Sequence, residues 1–256
     1  MYIIIFIIKE FHYYNIYIMS DTMVHEVVAI MDRTGFIPRK VSDLVSGFNT
    51  MIDFLRTEQE ENTIINVSVK LFDDEEIIIF LSQPLSDIRP LEERQCVARG
   101  QSALLDAIGN TIPYFIEKKL LDPTAYDCCT IYVVTNGIEN CSQSFTKLQI
   151  KEIIHTAYTK YNIKVIYITS NQDAILEAGN IGINAEQAIN YSETPDGTNA
   201  VYRGAAAMVM RHRCGDRFEF LHIERTASKH WRMLRPPLSS SRTPSPVKRH
   251  NCIHFQ

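Results

Sequence analysis

The stretch Val27 to Phe36, VVAIMDRTGF, most constrains what this chain can become. It begins as a short apolar run rich in β-branched residues and stops abruptly in a carboxylate, a hydroxyl and a glycine. Such a run suits a strand buried on both faces, and a strand of that kind needs helices on either side of its sheet. Two later stretches repeat the pattern. Arg99-Gly100-Gln101-Ser102 opens a helical segment, and Ile131-Tyr132-Val133-Val134 runs into Thr135-Asn136-Gly137. One polar site assembled from three loops is the expected result.

The rest of the chain supplies the helices. Ser42 or Asp43 can cap a helix whose apolar positions Val41, Leu44, Val45, Phe48, Ile52 and Leu55 recur every three or four residues. Residues 64–72 alternate in polarity, Asp73-Asp74-Glu75 makes a turn, and 77–81 returns, which together predict a hairpin. Asp73, Asp74, Glu75 and Glu76 are read as a solvated turn. Residues 82–99 form a loop crossing back over the sheet, and a helix starts near Ser102 with Leu104, Leu105, Ile108, Ile112 and Ile116 on one side. Then come strand 129–134, helix 146–160, strand 163–169, helix 172–180, a weak strand 186–191 and a helix from Pro195 capped by Thr194. Another short strand is expected around 218–223. Strands alternating with amphipathic helices predict an α/β fold, a mostly parallel doubly wound sheet with one antiparallel edge.

Charge is divided unevenly along the chain. The formal net charge is -4, yet residues 211–256 hold 10 Lys and Arg against 3 Asp and Glu, so an acidic body carries a basic tail. The expected organisation is an apolar, dispensable extension over 1–23 with Met19 and Met23 as alternative starts, one domain over 24–212, and a largely disordered tail over 213–256. The apolar run at 1–8 is interrupted long before the roughly 20 residues of a membrane span. Cys96, Cys128, Cys129, Cys141, Cys214 and Cys252 show no paired spacing, which predicts reduced thiols in an intracellular, cytoplasmic protein and no structural zinc site. His155 and the tail histidines have no ligand spacing.

DRTGF at Asp32, RGQSALLDAIG at Arg99 and VTNGIEN at Val134 occur in an order and spacing that resembles the three metal-site segments of von Willebrand factor A (vWA) domains. The small stand-alone members, with DRSGSM, GSTALLDAIG and TDGxEN, are the most similar. SGFNTMIDFL, LFDDE and the segment from Asn190 to Gly197 extend the likeness over roughly residues 24–212. The resemblance implies strand order 3-2-1-4-5-6 and a metal-ion-dependent adhesion site that receives a partner's carboxylate.

Several positions depart from that pattern. Asp32 is kept, Thr34 retains a hydroxyl and Ser102 replaces a threonine, but Phe36 stands where the resemblance implies a second ligating serine, and Asn136 removes a negative charge. A phenyl ring cannot coordinate magnesium, and losing even an outer-shell partner typically weakens metal sites about 10- to 100-fold. The expected metal positions are therefore Asp32, Thr34, Ser102 and Asn136 in a degenerate site, with Mg2+ bound weakly if at all. Glu139 is a substitute carboxylate to be tested. Asp32, Thr34, Phe36, Gln101, Ser102, Asn136 and Glu139 form the expected partner-binding crevice.

No phosphate-binding glycine loop and no G-x-S-x-G elbow is present, so a non-enzymatic interaction module with an unknown protein partner is expected, with no catalytic residue. One alternative is nucleic-acid or anionic-surface binding by Arg225, Lys229, Arg232, Arg235, Arg242, Lys248 and Arg249, with Trp231 and Phe255 among them. Thr243-Pro244 and Ser245-Pro246 read as phosphorylation sites that would lower the tail's charge. A residual Mg2+-dependent carboxylate-binding site is the other alternative.

Overall fold

A computed structural model describes residues 22–34, 38–97, 100–170 and 173–230. Phe36, Arg99, residues 1–21 and residues 231–256 lie outside them, and with them the readings of the N-terminal extension, the phosphorylation sites and most of the tail. Six strands form one sheet in the order β3-β2-β1-β4-β5-β6. They are β1 (Met23–Asp32), β2 (Thr63–Phe72), β3 (Glu76–Pro84), β4 (Cys128–Val134), β5 (Ile163–Thr169) and β6 (Ala188–Asn190). All neighbours pair in parallel except β2 and β3, the expected hairpin. The α/β class and the 3-2-1-4-5-6 order are those expected.

Strand β1 is the central organiser because its two sets of alternating side chains feed two separate cores. Val27, Ala29 and Met31 enter one core with α1 (Pro38–Thr57) and α5 (Pro195–Arg213). Val28 and Ile30 enter the other with α2 (Leu104–Leu121), α3 (Lys147–Lys160) and α4 (Ala174–Asn180). On α1, Val41, Leu44, Val45, Phe48, Ile52 and Leu55 all reach the core, as their spacing requires. The start of α1 differs from expectation. It begins at Pro38 rather than at Ser42 or Asp43, which fits a proline's fixed φ and missing N–H at the first helical position.

Local signals set the other boundaries. Thr146 and Gln149 close a capping box at α3, and the Thr194 hydroxyl accepts from Gly197 N at α5. The crossing segment after β3 buries Leu85, Ile88, Leu91 and Cys96 against the α1 side, so it seals that core edge. The expected strand at 218–223 does not form. A helix, α6 (His222–His230), occupies part of that stretch, held by Arg211, whose guanidinium pairs with Glu224 at 2.9 Å. Ser192 N donates to the carbonyl of Ser228 and Phe220 N to that of Glu186, tying this stretch to the β6 end of the sheet.

Candidate functional site

The carboxyl end of β1 lies beside those of β2 and β4, with Asp32 level with Phe72 and Met31 level with Val134. Strand order reverses in direction around β1, which is where open parallel sheets place their ligand crevice. Asp32 is 1% exposed, and its two oxygens gather donors from three loops. Oδ1 accepts from Thr34 N at 2.8 Å and Thr34 Oγ1 at 2.6 Å, an Asx-type turn that fixes the loop leaving β1. Oδ2 accepts from Thr135 Oγ1 at 2.6 Å, Ser102 Oγ at 3.2 Å and Gly137 N at 3.3 Å.

Glycine is required at two positions around this cluster. A Cβ on Gly137 would stand 2.7 Å from Thr34 Oγ1 and 2.9 Å from Asp32 Oδ2, so the backbone of the third loop closes directly onto the carboxylate. Gly100 has φ +50°, and a Cβ there would meet Asp74 Oδ1 at 2.5 Å. The second and third loops are also joined to each other. Ser102 N donates to Asn140 Oδ1 at 2.9 Å, and Asn140 N donates to the Ser102 carbonyl at 3.1 Å.

The structure thus brings Asp32, Thr34 and Ser102 together with Thr135, the strand-end hydroxyl of the third loop. Asn136 is turned elsewhere. Its Oδ1 accepts from Ser170 N at 3.0 Å and Ser170 Oγ at 2.7 Å, and its Nδ2 approaches the Tyr191 hydroxyl at 3.4 Å. Glu139 is also committed: Oε2 accepts from Leu105 N at 3.0 Å and Ser142 Oγ at 2.8 Å, and Oε1 from Ser142 N at 2.9 Å. It caps the first turn of α2 in place of a local N-cap side chain. Gln101 and Ile138 are exposed at the rim, Ile138 by 74%.

A hard dication needs several oxygen ligands, and the affinity rises with the number of charged ones. Among the described residues this cluster offers one carboxylate, its lone pairs already taken by the very hydroxyls that would have to share the ion. These hydrogen bonds lock three loops to one buried anion.

Asp73 corrects the reading of a solvated turn. It is fully buried, and Arg33, 3% exposed and adjacent to Asp32, donates from Nη2 to its Oδ1 at 2.9 Å while Nε lies 2.8 Å from Oδ2. Asp73 Oδ1 also accepts from Glu75 N at 2.7 Å, and the Asp73 carbonyl accepts from Ala103 N at 2.9 Å. This ion pair binds the Asp32 loop to the β2–β3 turn and the start of α2. Asp74 and Glu75 are exposed as expected, and Glu76 pairs with Lys70 at 2.6 Å. Only the identity of Arg33, a charge between Asp32 and Thr34, hinted at the pair.

At the opposite end of the strands, one donor atom each from His25, Cys128 and His212 lies within 4.8 Å of the other two, a group that could hold a metal ion. Cys96, Cys128, Cys129, Cys141 and Cys214 are free thiols. No helix among the described residues is long and apolar enough to cross a membrane.

No protein-family model and no curated protein matches this sequence. Among solved structures it is similar to proximal thread matrix protein 1 from the mussel byssus, at 13% identity and TM-score 0.49 over 74% of this chain and 46% of that one. The manganese-loaded TRAP protein of Plasmodium vivax gives 15% identity and TM-score 0.42 over 64% and 61%. The ArnB paralog VWA2 from Sulfolobus acidocaldarius gives 15% and 0.44 over 72% and 45%. The chain spans about half the length of the first of these, the mussel protein.

Proposed function

We propose that this chain is a non-enzymatic interaction module of the vWA type, presenting the crevice around Asp32 to a protein partner without depending on tightly bound magnesium. One observation carries the reading: both oxygens of Asp32 are occupied by donors from three loops, so the feature that would otherwise hold a metal serves to fix the shape of the crevice. The rim that a partner meets comprises exposed Gln101 and Ile138. An exposed isoleucine on a loop held this firmly gives a partner an apolar contact at little ordering cost.

Binding by the basic tail is the weaker reading. Arg225, the first of its cations, donates to the backbone carbonyls of Ala188 at 2.8 Å and of Ala185 and Glu186 at 3.0 Å. Its guanidinium is spent on the fold.

The test is partner capture with magnesium and with chelator, using the unmodified chain and the rim variant Gln101→Arg/Ile138→Asp. Capture equal in both conditions and reduced at least about tenfold in the variant is expected, whereas stability should move by only about 0.5 kcal/mol because both side chains are exposed. Capture that needs magnesium, or that survives the rim change, would refute the reading. Separately, Phe36→Ser with Asn136→Asp is expected to raise Mg2+ or Mn2+ affinity by about tenfold or more, measured by calorimetry. Asp at 136 can keep both Ser170 hydrogen bonds while adding a charge. Tight binding by the unmodified chain would contradict the degenerate site.

A further inference from the structure

The parity of β1 and β4 that builds the α1/α5 core breaks at the amino ends of these strands. Val27, Ala29 and Met31 belong to that core, and the next side chain on the same face is His25; Tyr132 and Val134 are followed in the same way by Thr130 and Cys128. His25 and Cys128 are direct partners in the β1–β4 ladder. His212, from the last turn of α5, comes down onto them. All three are buried, at 0%, 1% and 4% exposure. Apolar side chains would fill this position at less cost, since every buried polar group needs a partner.

The hydrogen bonds fix which ring nitrogens carry protons. Asn162 Nδ2 donates to the Asp127 carbonyl, so its Oδ1 faces His212 and must receive the proton of Nε2, 3.0 Å away. His212 Nδ1 is therefore a lone pair, and it accepts the Thr130 hydroxyl at 2.8 Å. With that proton used, His25 Nε2 must donate to Thr130 Oγ1 at 2.9 Å. His25 Nδ1 is left as a bare lone pair, buried and without a partner.

We propose that His25, Cys128 and His212 form a buried site for one thiophilic d10 cation, zinc or Cu(I), bound by two imidazole nitrogens and a thiolate. Thiolate and imidazole are the ligands that select such ions. Bond lengths of about 2.0–2.3 Å place ligand atoms roughly 3.3–3.8 Å apart, so no pair in the group needs to close by more than about 1.5 Å. Asn162 acts as a positioning residue, holding His212 by its other ring nitrogen, the usual arrangement for a ligating histidine. Burial lowers the pKa of His25 to about 3 and of His212 to about 2, with the Arg213 charge adding to the effect at His25, so both rings are neutral and ready to ligate. Burial also holds the Cys128 thiol up at about 12, so loading releases its proton as the Cys–metal bond forms. Arg213 opposes an added cation. The thiolate offsets this, and Glu60, 2.8 Å from the guanidinium, already partners Arg213. The sequence showed none of this, since the ligands are scattered from position 25 to position 212 with no motif spacing.

The test refolds the full chain from denaturant in the presence of Co2+ (a spectroscopic substitute for zinc), Zn2+ or Cu(I), removes excess ion, and measures metal per chain and absorbance. Refolding is used because the site has no exposed ligand. About one zinc or Cu(I) per chain is expected, and which ion is retained distinguishes the two. A thiolate-to-cobalt charge-transfer band should accompany the zinc arm, be lost in Cys128→Ser and persist in Cys252→Ser. Asn162→Gly keeps the positive φ that Asn162 adopts at 52° and should weaken affinity about 10- to 100-fold, which provides a readout even if Cys128→Ser folds poorly. Retention of none of the ions would overturn the proposal, as would a metal content unchanged in Cys128→Ser or Asn162→Gly, or abolished in Cys252→Ser.

Discussion

Replacing Asp73 with alanine is expected to destabilise the protein by about 3–5 kcal/mol, seen as a lower urea midpoint and a melting temperature reduced on the order of 10 °C. The magnitude follows from what is left behind. Arg33 is 3% exposed, and without Asp73 its guanidinium remains buried with no counter-charge. Glu75 N loses its acceptor in the same step. Arg33→Met combined with Asp73→Leu should recover much of the loss, since replacing both partners removes the charges and their desolvation together. If the single change costs under about 1 kcal/mol, Arg33 finds water on its own and the pair is not the clamp described above.

The fate of Asp73 also marks where reading the sequence reaches its limit. Within DDEE, four consecutive acidic residues after an alternating strand read as solvated, because local pattern reports only the average environment of a turn. Burial of the first one depends on Arg33, forty positions away, and on the start of α2 folding over it. Local pattern served well where an element's own composition or spacing decides the matter. Residues 163–169 were expected as a strand and are β5, and the apolar positions of α1 are the ones that enter the core. The convergence of Asp32, Thr34 and Ser102 was legible for a topological reason, since each follows a strand end or opens a helix on the same edge of the sheet. Side-chain direction was not legible. Asn136 and Glu139 lie in the expected loop, but backbone donors nearby, Ser170 N for one and Leu105 N for the other, draw them away from Asp32. No spacing in the sequence joins His25, Cys128 and His212, and the 0% exposure of His25 beside two other donor residues becomes apparent once three distant elements are packed.

Asp32→Ala should cost about 2–4 kcal/mol and abolish partner capture, and Asp32→Asn separates the reasons. Alanine leaves three hydroxyls and two backbone N–H groups facing a void. Hydroxyls can rotate and bond one another or water, but Thr34 N and Gly137 N are fixed by the chain. Asparagine retains one acceptor oxygen and presents an NH2 in place of the other, so it can satisfy only one of those two N–H groups. A loss of about 1–2 kcal/mol is therefore expected for asparagine, between wild type and alanine, and it should be the same with magnesium or chelator. That insensitivity is what separates an anion that anchors three loops from an anion that holds a metal. In the metal case the unmodified protein would gain stability on adding magnesium by mass action, and the gain would vanish in both variants. In the anchoring case the order wild type, asparagine, alanine is present without any ion, and capture falls in the same order because the rim carrying Gln101 and Ile138 is only as fixed as the carboxylate beneath it.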